Sequence, residues 1–164
     1  MRSKIVLAFL FVLALAPVAG AQTKMSGTAQ CGKAEKQHAI EVGDRPDHSF
    51  MISQAKCTWT KPWEIEGIQN KEGVYTSFDD VTGNSSRYRG YYVDTMANGD
   101  KAYYRAQGTA TLKDGVIETA EEKWTLVGGT GKLKGVKGQG SCKGKGNPDG
   151  SVTWQCEGEY QIPK

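Results

Sequence analysis

From Gln22 to Lys164 the chain shows no sustained 3.6-residue apolar period. Short stretches instead alternate apolar and polar positions, or gather β-branched and aromatic residues, and each is bounded by Gly, Asn or Asp. This pattern predicts strands over Lys24–Cys31, His38–Val42, His48–Trp59, Glu64–Gln69, Gly73–Asp79, Ser86–Met96, Lys101–Leu112, Val116–Val127, Gly135–Lys143 and Ser151–Gln161. Asn98-Gly99 and Asp114-Gly115 are dipeptides suited to two-residue hairpin turns, so the second half reads as an antiparallel meander. With no helix to cover a flat sheet, the expected fold is all-β and closed into an antiparallel barrel, which removes sheet edges. A β-sandwich carries the same alternation and is the other architecture the pattern allows.

Ahead of the strands, Arg2 and Lys4 precede an apolar run from Ile5 to Leu15 and a small-residue Ala19-Gly20-Ala21 site. That is the layout of a secretory signal peptide, so residues 1–21 are expected to be cleaved near Ala21 and 22–164 to form one β-barrel domain, secreted or periplasmic. The apolar run is too short for a spanning helix and no second one follows, so no membrane anchor is expected. Losing Arg2 and Lys4 from 21 basic residues leaves 19 against 18 acidic, a net charge of +1. Nucleic-acid binding needs a concentrated basic excess, and none is expected here. Lys132, Lys134, Lys137, Lys143 and Lys145 read as solvated lysines that discourage strand-to-strand association.

Four cysteines in an oxidising compartment allow three pairings. Cys142 and Cys156 stand at similar distances from the Asn147-Pro148-Asp149-Gly150 turn signal, so a hairpin there brings them together. Cys31 with Cys57 follows by elimination. The chain has no C-x-x-C motif, and His38 and His48 are not spaced as ligands, so neither a metal nor another cofactor is expected. Asn84-Ser85-Ser86 fits a glycosylation acceptor, relevant in a eukaryotic secretory pathway. Phe78-Asp79-Asp80 before Thr82-Gly83-Asn84 reads as a capped turn, since it lacks the alternating acids of a calcium loop.

The segment from Val127 to Gly140 holds six glycines in fourteen residues. No helix-forming stretch follows Gly128, Gly129 and Gly131, as a phosphate loop would require, so the run reads as a tight connection feeding a crowded strand. Its G-G-T-G-x-L-x-G-V-x-G pattern resembles the segment that dirigent proteins and allene oxide cyclases carry before a late barrel strand. The resemblance implies an antiparallel barrel of about eight strands, related to the calycins, that associates as a homo-oligomer. It also implies a small apolar ligand and cyclase or isomerase-type activity. Asp47-His48-Ser49-Phe50 and Asp94-Thr95-Met96-Ala97-Asn98-Gly99-Asp100 resemble instead a group of small secreted bacterial proteins of unassigned activity.

A two-residue turn at Asn98-Gly99 sets Asp94 opposite Tyr103 and Tyr92 opposite Arg105. Tyr92, Asp94, Met96, Tyr103, Arg105 and Gln107 then share one face, which Asp114-Gly115 extends to Glu118, Glu122 and Trp124. Tyr91, Val93, Ala102, Tyr104, Ala106, Gly108, Ala110 and Leu112 occupy the other. If the first face points inward, Tyr92, Tyr103, Arg105 and Trp124 are the ligand-binding candidates. Asp94, Arg105 and Glu122 are then the candidate catalytic charges, with a desolvated carboxyl as acid or base. If it points outward, the charges form a cross-strand ladder and the barrel of a non-catalytic envelope or host-facing protein is simply filled. A single-residue bulge reverses this parity. His48 has no matching nucleophile, because Ser49 and Ser53 lack a nucleophile elbow. The four tryptophans read as core or barrel-lid residues.

Overall fold

The computed structural model describes residues 22–162, so the signal-peptide expectation lies outside the described residues. Ten strands follow one another: β1 (Thr23–Cys31), β2 (Lys36–Glu41), β3 (His48–Lys61), β4 (Glu64–Ile65), β5 (Ile68–Thr82), β6 (Ser85–Met96), β7 (Lys101–Lys113), β8 (Val116–Gly129), β9 (Lys137–Gly146) and β10 (Val152–Gln161). Neighbours pair antiparallel in the order β3-β1-β10-β9-β8-β7-β6-β5, and the β3–β5 ladder from His48↔Thr82 to Thr58↔Glu72 closes the ring. Of the ten strands only β2 and β4 stand outside it. The fold is thus an all-β antiparallel barrel of eight strands with two additions, and the sandwich is excluded by the closing ladder.

Each end of the barrel is shaped by local backbone chemistry. Glu64–Gln69 is not one strand, because Glu66 and Gly67 both have positive φ, 52° and 71°, and turn the chain between β4 and β5. The turn tucks Trp63 and Ile65 under one end, here the lower. There the Trp63 N–H donates to Asn70 Oδ1 at 3.0 Å, and the Glu66 N–H to the Tyr160 hydroxyl at 3.0 Å. The glycine run contributes a short 3₁₀ turn, Gly131–Leu133, after which Leu133 and Val136 are fully buried in the same core. At the upper end β2 continues the β1 edge of β3, pairing from Lys36↔Gln54 to Glu41↔Ser49. Because β10 begins at Val152, opposite Cys31, the β2–β3 pair rises beyond it as a flap.

Two one-residue shifts correct the expected faces. Asn98-Gly99 is not a two-residue turn: Gly99 N–H bonds to the Met96 carbonyl and Met96 N–H to the Asp100 carbonyl. Ala97, Asn98 and Gly99 form a three-residue loop with Gly99 at φ 88°, so Asp94 pairs with Ala102 and Tyr92 with Tyr104. Asp114-Gly115 makes the expected tight turn, both residues at positive φ, but the register then slips between Thr111↔Thr119 and Leu112↔Ile117. Glu118 is the extra residue, and Glu122 lies opposite Gly108 rather than Gln107. The shifts cancel across β7. Tyr92, Asp94 and Met96 on β6 and Glu122 and Trp124 on β8 remain together, whereas Tyr103, Arg105 and Gln107 give way to Ala102, Tyr104, Ala106, Gly108 and Ala110.

The disulfides are Cys31–Cys57 and Cys142–Cys156, as expected, and each joins residues directly opposite in a ladder. Inside the wall, large rings lie against strand glycines. A Cβ on Gly140 would collide with the Trp124 indole and the Glu157 carbonyl, and one on Gly158 with the same indole. Gly140→Ala is therefore expected to cost about 1–3 kcal/mol in urea unfolding. Gly128→Ala, with nothing within 4 Å of the new methyl and no positive φ, should stay within about 0.5 kcal/mol of the parent.

Candidate functional site

The lower half of the barrel is packed by aromatic rings. Trp63 packs at a tilt against Trp59 at 4.4 Å between ring centroids, against Trp124 at 5.5 Å and against Tyr104 at 6.1 Å. Asp94 is wholly buried at their side and accepts from Trp59 Nε1 at 3.1 Å, Asn70 Nδ2 at 3.0 Å and the Tyr92 hydroxyl at 3.5 Å. Burial pushes its carboxyl up to about 7 against the opposing pull of these donors. With its oxygens taken up by three side chains, Asp94 ties β3, β5 and β6 together at the barrel's closed end.

Above this layer is a small cavity of about 60 Å³, bordered by Tyr92, Tyr104, Glu122 and Trp124, with Tyr75 and Trp154 as its roof. Trp63 Nε1, Trp124 Nε1 and the Tyr104 hydroxyl sit around it without a protein hydrogen-bond partner. The volume suits water-sized groups and is well below the roughly 150 Å³ that a benzene ring requires. Glu122 accepts from the Tyr75 hydroxyl at 3.0 Å, and burial pushes its carboxyl up to about 7. At neutral pH it therefore exists as a mixture of acid and carboxylate, able to give or take a proton.

Tyr75 and Trp154 also floor a second, open chamber of about 420 Å³ at the upper end. Its walls are Met51, Ser53 and Ala55 from β3, Val81 from β5, Ala110 and Leu112 from β7, and Ile117 from β8. These are small or slender side chains where the lower half carries indoles, which is why the upper barrel is hollow. Tyr88 and Asp79, paired across β5 and β6, complete the wall. Asp79 accepts from the hydroxyls of Ser77 at 2.6 Å and Ser86 at 3.4 Å, and desolvation raises its pKa. The wider grooves on the outside of the wall are shallow and open, with Lys24, Gln107, Lys123 and Gln139 along the largest.

The expected site residues are thus distributed over three places. Asp94, Tyr92 and Trp124 belong to the lower packing, and Glu122 stands at the partition. Tyr103 and Arg105 lie on the outer wall, where the Arg105 guanidinium rests 5.9 Å from the Tyr91 ring centre. His48 is buried on the outer face of β3 with its ring nitrogens facing the carboxylates of Asp44 and Asp80, while Ser53 meets Ser77 at 3.0 Å in the wall of the upper chamber. Sequence reasoning does not select Tyr75, Asp79, Tyr88 or Trp154. The available signal is the two-residue turn Gly83-Asn84, which fixes Asp79 opposite Tyr88 and so aligns Tyr75, Ser77, Asp79, Ser86, Tyr88 and Tyr92 on one face.

No protein-family model matches the chain, and no curated protein sequence matches it. Among solved structures it is similar to a pterocarpan synthase dirigent protein, with a TM-score of 0.47 and 10% identity over 93% of this chain and 99% of that one. That likeness is to a dirigent protein and lends no support to the allene oxide cyclase or secreted bacterial assignments. The two disulfides are compatible with an oxidising extracytoplasmic setting, and among the described residues no helix is long and apolar enough to cross a membrane.

Asp94→Ala removes the acceptor of two buried N–H donors and is expected to cost roughly 3 kcal/mol in chemical unfolding. Asp94 and Glu122 have folded values near 7, above their ordinary carboxylate values, so the folded state holds more protons between pH 4 and 7. Their contribution to stability is complete below pH 4 and is lost as pH rises through 7, on the order of 3–4 kcal/mol for each group. Thermal unfolding should show a higher midpoint at pH 5 than at pH 8, and Glu122→Gln should reduce the difference.

Proposed function

We propose that this chain is a secreted or periplasmic single-domain barrel that holds a small, largely apolar or aromatic molecule in its upper chamber. The observation that carries this reading is the chamber itself. Its volume of about 420 Å³ falls within the range of small-molecule sites, its walls are mostly apolar, and polar groups enter at only a few points. A molecule seated there would rest on Tyr75 and Trp154 and lie beside the Tyr88 ring. Cyclase or isomerase-type action is an extension of the same reading. Glu122, titrating near neutrality under the partition, is then the acid or base acting through Tyr75, whose hydroxyl it binds and whose ring lines the chamber, and the close walls hold one conformer of the ligand. Neither Arg105 nor Tyr103 takes part, since both lie on the outer wall.

A second reading, a non-catalytic envelope or host-facing protein, draws on the packed lower barrel and on Ile40, Phe50 and Ile52, neighbours on the outer face of β2 and β3 with 61%, 39% and 57% of their surface exposed. Calorimetric titration with 1-naphthylmethanol separates the two. The chamber reading expects saturable binding that Ala110→Trp weakens at least tenfold by filling the wall, while Thr109→Trp, one position away on the outer face, leaves it unchanged. No saturable heat from the unsubstituted protein would favour the surface reading.

A further inference from the structure

Away from its rim, the proposed chamber carries acidic groups and no basic one. Asp79 is half-buried in its wall, and Glu122 lies just beneath the floor. Among the described residues the ion pairs are Arg45 and His48 with Asp44, His48 with Asp80, and Lys56 with Glu35, and none reaches either carboxylate. The single cation of the lining is Lys33, whose stem rests against Gly150 at the rim. The hydroxyls of Ser77 and Ser86 donate to Asp79 and hold it in place, and they supply no counter-charge.

A second and independent feature is Tyr88. Only 7% of it is exposed, its ring lines the chamber, and its hydroxyl lies over Gly108, beside the Glu122 carboxyl on the next strand. Burial raises its pKa first, and the charges of Glu122 and Asp79, with Glu122 within hydrogen-bonding reach of the hydroxyl, raise it further. The ring faces of Tyr88, Tyr75 and Trp154 meet the same space. Aromatic faces beside an unpaired, desolvated carboxylate attract an organic cation twice over, through the ring quadrupoles and through charge-assisted hydrogen bonds.

We infer that the chamber selects a protonated amine carried on an aromatic or apolar body, with Asp79 as its counter-ion and Tyr88 and Tyr75 packed around the ammonium. An ammonium group brings three donors and no acceptor, which matches a wall offering the Asp79 oxygens among aromatic rings. A ligand carboxylate or phosphate meets the like charge of Asp79 in the wall, and its one basic neighbour is the rim lysine. The inference rests on the chamber being a ligand site, and the experiment distinguishes failure of that reading from failure of the charge preference.

Three ligands with the same ring system and different charge serve as probes: 1-naphthylmethylamine, 1-naphthylmethanol and 1-naphthoate, titrated calorimetrically into the full mature chain at pH 7. The expected order is amine, then alcohol, then carboxylate, with the amine bound at least tenfold tighter than the alcohol. Asp79→Asn should bring the amine to the affinity of the alcohol and leave the alcohol unchanged, which also shows that the variant retains its fold. Equal affinities for the three probes would overturn the charge preference while leaving the chamber intact as a site. An amine preference that survives Asp79→Asn would overturn the role of Asp79. Absence of binding by all three would overturn the chamber reading and this inference with it.

Discussion

The interior depends on aromatic rings lying flat on strand glycines. An eight-stranded barrel has an interior just wide enough to be filled by side chains, and a large residue at every inward position would not fit. This chain resolves the crowding by setting rings against residues without side chains: Trp124 over Gly140 and Gly158, Tyr92 over Gly73, Tyr75 over Gly90, and Trp59 over Gly27. Each ring lies along the wall instead of standing across the lumen, so several fit at one level. The glycine segment that marks the sequence most visibly is part of this arrangement, since Gly140 is the floor on which Trp124 rests.

The same packing divides the lumen along its axis. Where indoles and phenols meet one another, around Trp59, Trp63, Tyr104 and Trp124, little space remains. Toward the flap the inward residues shorten to Met51, Ser53, Ala55, Val81 and Ala110, and the lumen opens. Three carboxyl groups mark the gradient. Asp94 at the closed end accepts from three side chains and belongs to the scaffold, Glu122 at the partition accepts from one phenol, and Asp79 in the open chamber is held only by two serine hydroxyls. Desolvation raises the pKa of all three, but of the three only Asp79 lines the open chamber.

The disulfides secure the register on which this depends. Cys31–Cys57 fixes β1 against β3 at the point where β2 takes over the edge, and Cys142–Cys156 fixes β9 against β10. A slip of one residue in either ladder would exchange inward and outward side chains and move the rings off their glycines. Covalent closure of short ladders thus protects a packing scheme that tolerates no shift.

Alternation, turn dipeptides and cysteine spacing make much of this legible in the amino-acid sequence: an all-β chain, an antiparallel meander, closure into a barrel and both disulfide pairs. These are local properties, because strand period and turn preference are carried by adjacent residues. The face of β7 is not legible, since its parity depends on a loop closing over three residues at Ala97–Gly99 and on a bulge at Glu118, and both differ from a regular register by a single residue. Nor does the sequence distinguish Asp94, the most suggestive acid, from Asp79, which reads as part of a capped turn. Their difference lies in what surrounds them, indoles and an amide for one, two hydroxyls and open space for the other. Burial and partners are decided by residues far apart in the chain, so only the closed barrel separates the structural carboxylate from the available one.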